Sequence, residues 1–266
     1  MFELRQCGDI KFYVPLTIEN TKLVRVGFST REGGVSKGCY GSMNLRWNCD
    51  DTKENVLENY KRITAAFGID YRDTVLSKQI HEDKVLTVGN ADKGNGITIK
   101  NKFTSADALM TNEKGVALAA TFADCTPVFF IDPIQKAVAV AHSGWRGTVK
   151  RISVRVVEKM HEMYGSKAEN IICSIGPSIQ EDHFEVGDDV AEIFIKEFGE
   201  DTAKLYGERY HVNMQRAIKK QLIDAGVKEE NIDDSGICTY CNSDLLFSHR
   251  KTNGKRGNLG AFIQLI

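Results

Sequence analysis

An excess of charge is missing from this chain: 35 Lys and Arg stand against 36 Asp and Glu, a net charge of −1 over 266 residues. Without a field of one sign there is no long-range pull toward nucleic acid or an anionic membrane, so neither is expected as a partner. Residues 1–30 lack a basic-then-apolar leader pattern, and no apolar run approaches the length of a membrane span. A cytoplasmic protein is the expectation. Only four prolines occur, with no Ser/Gly tract and no internal repeat, so nothing marks a linker. The six histidines include no His-x-His pair, the pattern from which dioxygen-reducing copper clusters are built.

What is present suits an ordinary globular protein. Hydrophobic residues make up 42% and charged residues 27%, an ordinary globular balance, and the length allows one large core. Seven scattered cysteines, an odd number, read as free thiols in a reducing compartment. Strand-like apolar runs fall at 23–28, 116–121, 128–131, 137–141, 171–175 and 260–265. Helical periodicity spans 52–67 with Asp51 as cap, 148–164 ending at Gly165, 188–198 ending at Gly199, and 214–225 capped by Asn213. Strands mixed with helices, without strict alternation, predict one α/β domain over residues 1–266, its mixed β-sheets flanked by helices.

Three residues sit in stretches that read as a site: His81 in Ser77-Lys-Gln-Ile-His-Glu, Cys125 in Thr121-Phe-Ala-Asp-Cys-Thr-Pro, and His142 in His142-Ser-Gly-Trp-Arg-Gly. Two imidazoles and a thiolate hold zinc with a fourth position open, the pattern of catalytic rather than structural zinc. The same trio also fits a Cys nucleophile with a His base and no metal. Alone, Cys125 reads as a small buried hydrophobe. His142 changes that, because it ends the next strand and brings its imidazole to a neighbouring strand end. Pro127 argues that the connection around Cys125 is not regular strand. After His142, Gly144 and Gly147 lead into a helix whose N-terminus favours an anion, and Arg146 there fits a phosphate or a structural carboxylate equally.

Other candidates are weaker. Cys238-Thr-Tyr-Cys241 has C-x-x-C spacing but no second pair to complete a zinc knuckle. His161 reads as a solvated helix residue, and His183 and His211 lie in polar turns without partners nearby in sequence.

These motifs, taken in order, resemble the laccase-domain (YfiH-type) family, named both for polyphenol oxidase and for purine nucleoside phosphorylase. The likeness runs nearly the whole chain: Asn44-Leu45 with Asp50-Asp51, Gln79-Ile-His81, Ala123 to Pro127, Ala141 to Gly147, Ile175-Gly-Pro177, Phe184 to Gly187, Cys238-Thr239 and Phe247 to Arg250. The resemblance implies a layered α/β fold and zinc on His81, Cys125 and His142, with copper as the other metal. It implies phosphorolysis of adenosine, inosine and methylthioadenosine, plus adenosine deamination, with nucleoside and phosphate as small-molecule partners. Asn44, Arg146 and Arg250 are the expected substrate contacts, and Asp124 is expected to orient a ligand. Two other readings are a copper-dependent phenol oxidase and a Cys-dependent amidohydrolase acting on cell-wall precursors. Four positions depart from the family: Glu82 replaces Gly, Ser143 replaces Ala, His249 replaces Tyr, and Asn258 follows Gly257 where Arg is usual.

Overall fold

A strand buried on both faces shows no polar alternation, and residues 126–132 and 137–143 form two such strands. Phe129, Ile131, Val138 and Val140 face one core; Val128, Phe130, Ala139 and Ala141 face another. The computed structural model describes residues 1–266, and its layers stack on either side of this hairpin.

In chain order the first strands are β1 (Phe2–Cys7), β2 (Ile10–Pro15), β3 (Val24–Ser29), β4 (Thr74–Leu76) and β5 (Val85–Thr87). Next come β6 (Ala108–Thr111), β7 (Ala117–Phe122), β8 (Thr126–Asp132), β9 (Ala137–Ser143) and β10 (Ile172–Ile175). The last are β11 (Glu185–Val186), β12 (Ala203–Tyr206), β13 (Arg209–Val212), β14 (Ile232–Asp234) and β15 (Leu259–Leu265). The helices are α1 (Leu16–Glu19), α2 (Lys53–Ala66), α3 (Trp145–Val149), α4 (Ile152–Tyr164), α5 (Asp188–Phe198), α6 (Met214–Asp224) and α7 (His249–Thr252).

One six-stranded sheet runs β1-β2-β3-β15-β7-β4, antiparallel except at β4/β7. The other runs β14-β10-β8-β9-β6-β5, with parallel pairs only at its two edges. They pack face to face, and this layer together with the α2-covered face of the first sheet makes up a cluster of 39 buried residues. α2 covers the outer face of the first sheet, where the Phe67 ring meets Phe12 edge-on at 5.0 Å and Phe262 at 5.5 Å. Gly27 makes room for that ring, since a Cβ there would lie 2.3 Å from it. α4 and α6 cover the outer face of the second sheet through Ile152, Val156, Met160, Ile218 and Leu222. A small sheet, β11-β13-β12, packs with α5 in a third cluster. The layered α/β expectation holds.

Three local expectations need correction. Pro127 lies inside β8, opposite His142. Its carbonyl accepts from Gly176 N–H at 2.8 Å, just past the last β8–β10 pair, so the ladder needs no donor from it. The helix expected over 148–164 is two helices, because Arg151 is left-handed at φ +63 and breaks the ladder between α3 and α4. Thr52, not Asp51, caps α2, its hydroxyl accepting from Asn55 N–H at 3.2 Å.

Candidate metal centre

Register places two of the three donors. Thr126 pairs with Ser143 and Pro127 with His142, so Cys125, one residue before β8, lies beside the end of β9. His81 arrives from the loop between β4 and β5 with its backbone left-handed, φ +61. That conformation costs a non-glycine residue about 1–2 kcal/mol, and the surroundings hold it there. Buried Asp107 accepts the backbone N–H groups of Ile80, His81 and Glu82 at 3.0, 3.0 and 3.1 Å. The same carboxylate accepts from His142 Nδ1 at 2.9 Å. One side chain thus sets the His81 loop and the tautomer of His142, leaving Nε2 of His142 as the ligating nitrogen.

Electrostatics favour the thiolate. Burial pushes the Cys125 thiol up, but the charge of His142 and hydrogen bonds from both imidazoles outweigh it and bring the pKa down to about 6. Burial pushes His142 down, yet the Cys125 thiolate and the Asp107 carboxylate raise it to about 9. Asp107 resists its own burial through the His142 hydrogen bond and the backbone donors, and stays below the usual carboxylate range.

The donor atoms of His81, Cys125 and His142 lie within 4.8 Å of one another. The two imidazoles stand nearly perpendicular, with centroids 4.8 Å apart. Backbone of Gly144 closes the floor: a Cβ there would lie 2.8 Å from His81 Nδ1, 3.4 Å from Cys125 Sγ and 3.6 Å from His142 Cε1. A space bounded by two nitrogens and a thiolate, and kept open by the lack of one side chain, fits a tetrahedral ion.

Above it opens a cleft of about 320 Å³. Trp145, Ile179, Phe184 and Met214 form an apolar wall, and His249 stands with the guanidinium groups of Arg250 and Arg256 in a polar one. Asp124 is already engaged, accepting from Thr239 Oγ1 and the Arg250 backbone N–H at 2.6 Å each. Arg250 donates to the carbonyls of His183 and Glu185 at 3.2 and 2.9 Å. Arg256 has no carboxylate partner, and its Nε is buried without an acceptor. Burial first, then the charge of Arg46, hold its pKa below the ordinary value. His249 is likewise lowered by burial and by Arg256, which donates to its Nδ1 at 3.2 Å.

The expected substrate contacts fare differently. Arg250 lines the cleft. Asn44 is fully buried, donating to Asp51 at 2.9 Å and accepting from the Arg46 and Asn258 backbone, so it shapes the turn behind the cleft. Arg146 is exposed, outside the lining, and stacked on Trp145 at 4.2 Å. No carboxylate pairs with it, and it lies in the first turn of the five-residue α3. Sequence reasoning missed Asp107 and Arg256. Asp107 had one signal, a lone acid leading the apolar run Ala108-Leu-Met.

The departures are accommodated. Glu82 pairs with Lys150 at the surface. Ser143 shares a buried hydrogen bond with Thr148 Oγ1 at 2.7 Å. Asn258 donates to Thr121 Oγ1 at 3.0 Å, and Arg256, two residues earlier, brings a guanidinium to the cleft.

Residues 25–266 match the family model described as multi-copper polyphenol oxidoreductase laccase. The chain is 35% identical over 254 residues to purine nucleoside phosphorylase YlmD of Bacillus subtilis, covering 93% of this chain and 90% of that one. It is 33% identical over 230 residues to adenosine deaminase RL5 from an unknown prokaryotic organism, covering 84% and 87%. The crystal structure of Bacillus licheniformis hypothetical protein YfiH superposes with a TM-score of 0.91 at 30% identity, over 99% of both chains.

Proposed function

This chain belongs to the multi-copper polyphenol oxidoreductase laccase family, and from that premise we propose that it is a zinc-dependent purine nucleoside enzyme. It cleaves adenosine, inosine and methylthioadenosine with phosphate to the free base and ribose 1-phosphate (5-methylthioribose 1-phosphate from methylthioadenosine), and it deaminates adenosine to inosine. The observation that carries this reading is the cleft: apolar side chains and two guanidinium groups line it together with His81 and Cys125, and buried His142 completes the donor set. The relatives that are a purine nucleoside phosphorylase and an adenosine deaminase point to the substrate class.

His81, Cys125 and His142 would hold zinc with one position open, and the ion would supply Lewis acidity and lower the pKa of a water there. Everything else comes from the chain. Trp145 and Phe184 offer faces on which a purine stacks, worth about 1–3 kcal/mol per base. Arg256, which lacks a carboxylate partner, and Arg250 hold phosphate against C1′ of the ribose, where positioning and charge stabilisation do most of the catalysis. His249, neutral near pH 7 because burial and Arg256 depress it, takes or gives a proton on the cationic side. Arg146 extends the cation set at the rim through Trp145. Copper is the competing metal for such donors, but without a His-x-His pair phenol oxidation is a side activity at most.

Mass spectrometry of products from adenosine plus phosphate tests this, with wild type and Cys125→Ala side by side. Adenine with ribose 1-phosphate, or inosine, from wild type alone is the expected result. No product from either protein refutes the reading.

One observation favours a second reading. Cys125, His142 and Asp107 form a thiolate–imidazole–carboxylate series, the arrangement of a Cys-dependent amidohydrolase. Tightly held zinc in the purified protein counts against it, since the thiolate is then a ligand.

A further inference from the structure

A second set of soft donors lies outside the cleft. His183 Nδ1 is 3.6 Å from Cys241 Sγ and 3.9 Å from Cys238 Sγ, and the three donor atoms fall within 4.8 Å of one another. Zn–S bonds of about 2.3 Å and Zn–N bonds of about 2.0–2.1 Å at tetrahedral angles require N···S edges of about 3.6 Å. The observed edges match to within a few tenths of an ångström. The spacing that lacked a second cysteine pair in the sequence is completed by a histidine more than fifty residues away.

The surroundings fix all three side chains. Thr239 N–H donates to the Ser178 carbonyl at 3.1 Å, and Asn242 closes the Cys238–Cys241 turn by donating to the Cys238 carbonyl through its backbone and side chain at 3.1 and 2.8 Å. The His183 ring stacks on Tyr240 at 4.2 Å, and Lys251 Nζ lies over the other ring's centroid at 4.4 Å. Cys238 is buried, His183 half-buried and Cys241 exposed, so solvent reaches the fourth position. The remaining thiols offer no such grouping.

We propose that His183, Cys238 and Cys241 bind a second zinc ion, with water as the fourth ligand. Two thiolates and an imidazole select a thiophilic ion over magnesium or calcium. The ion clips two segments that both serve the cleft. Beside His183 is Phe184 of the apolar wall, and the His183 carbonyl accepts from Arg250. Beside Cys238 is Thr239, which donates to Asp124 next to Cys125. The site is structural with respect to the reaction and does not depend on which substrate the cleft takes.

Metal content of protein purified with zinc under reducing conditions tests the site. Wild type is expected to hold about two zinc ions per chain, Cys125→Ala about one, Cys238→Ser/Cys241→Ser about one, and the triple variant none. Cobalt provides a second readout: in Cys125→Ala, thiolate-to-cobalt charge-transfer absorption persists, and it disappears when Cys238→Ser and Cys241→Ser are added. A single zinc in wild type that Cys125→Ala removes overturns the proposal. So does a Cys238–Cys241 disulfide in place of metal under those conditions, or two ions retained by the double serine variant.

Discussion

The two His/Cys groups are built to opposite plans. Around Gly144 the imidazole of His142 is backed by a buried carboxylate, and the other two donors, His81 and Cys125, line a cleft. Around His183 no carboxylate stands behind the ring; an aromatic stack holds it, and one thiol is exposed. Charge behind a ligand sets tautomer and basicity, which matters where chemistry occurs. Stacking sets orientation alone, which suffices for a clip. The contrast teaches that donor identity is a poor guide to role, and that what lies behind the donors separates the two.

The largest break in that contrast is to close the first site. Gly144→Ala puts a methyl group among the three donors at an ordinary φ of −73. Metal at that site and nucleoside turnover are expected to vanish together, while circular dichroism stays unchanged. Next is the carboxylate: Asp107→Asn is expected to lower metal affinity or turnover about 10–100-fold. Losing charge-assisted bonds to three backbone N–H groups also lowers stability by about 1–3 kcal/mol, read as a fall in Tm. Arg256→Ala is expected to raise the KM for phosphate by about tenfold or more, the value of one charge-assisted hydrogen bond, and to change the KM for nucleoside much less.

A pH experiment sharpens the comparison in metal-stripped protein. Cys125 is depressed to about 6, so its thiolate persists above that pH and is lost as pH falls through it. Cys241 moves the other way, raised by desolvation and by the hydrogen bond it shares with Cys238. Alkylation followed by mass mapping is expected to label Cys125 well into mildly acidic solution and Cys241 only in alkaline solution. Under His142→Ala the Cys125 profile shifts toward the ordinary thiol value of about 8.5. The smallest effect belongs to Glu82→Gly, which removes a half-exposed surface pair with Lys150 and is expected to change stability by less than about 1 kcal/mol.

How much was legible in the sequence followed from how local each cause is. β8, β9 and β15 announce themselves as continuous apolar runs because both faces are buried. β1 escaped because it is a largely exposed edge strand, and β4, β5 and β14 because three residues carry no period. The Arg151 break has neither Gly nor Pro to mark it. His81, Cys125 and His142 each stand in a distinctive stretch, whereas Asp107 acquires its role only by meeting His142, 35 residues on. Arg256 lies two residues before the position where the family carries Arg, and His183 lies 55 residues from Cys238. Through-space partners of this kind leave no trace in spacing.

The β8–β9 hairpin is shared by the two larger cores, so neither face of it opens without exposing one of them. Its backbone amides are therefore expected to exchange with solvent only when both cores open, that is, on global unfolding. Cys125, one residue before β8, and His142, within β9, thereby take their positions from the least easily opened part of the molecule.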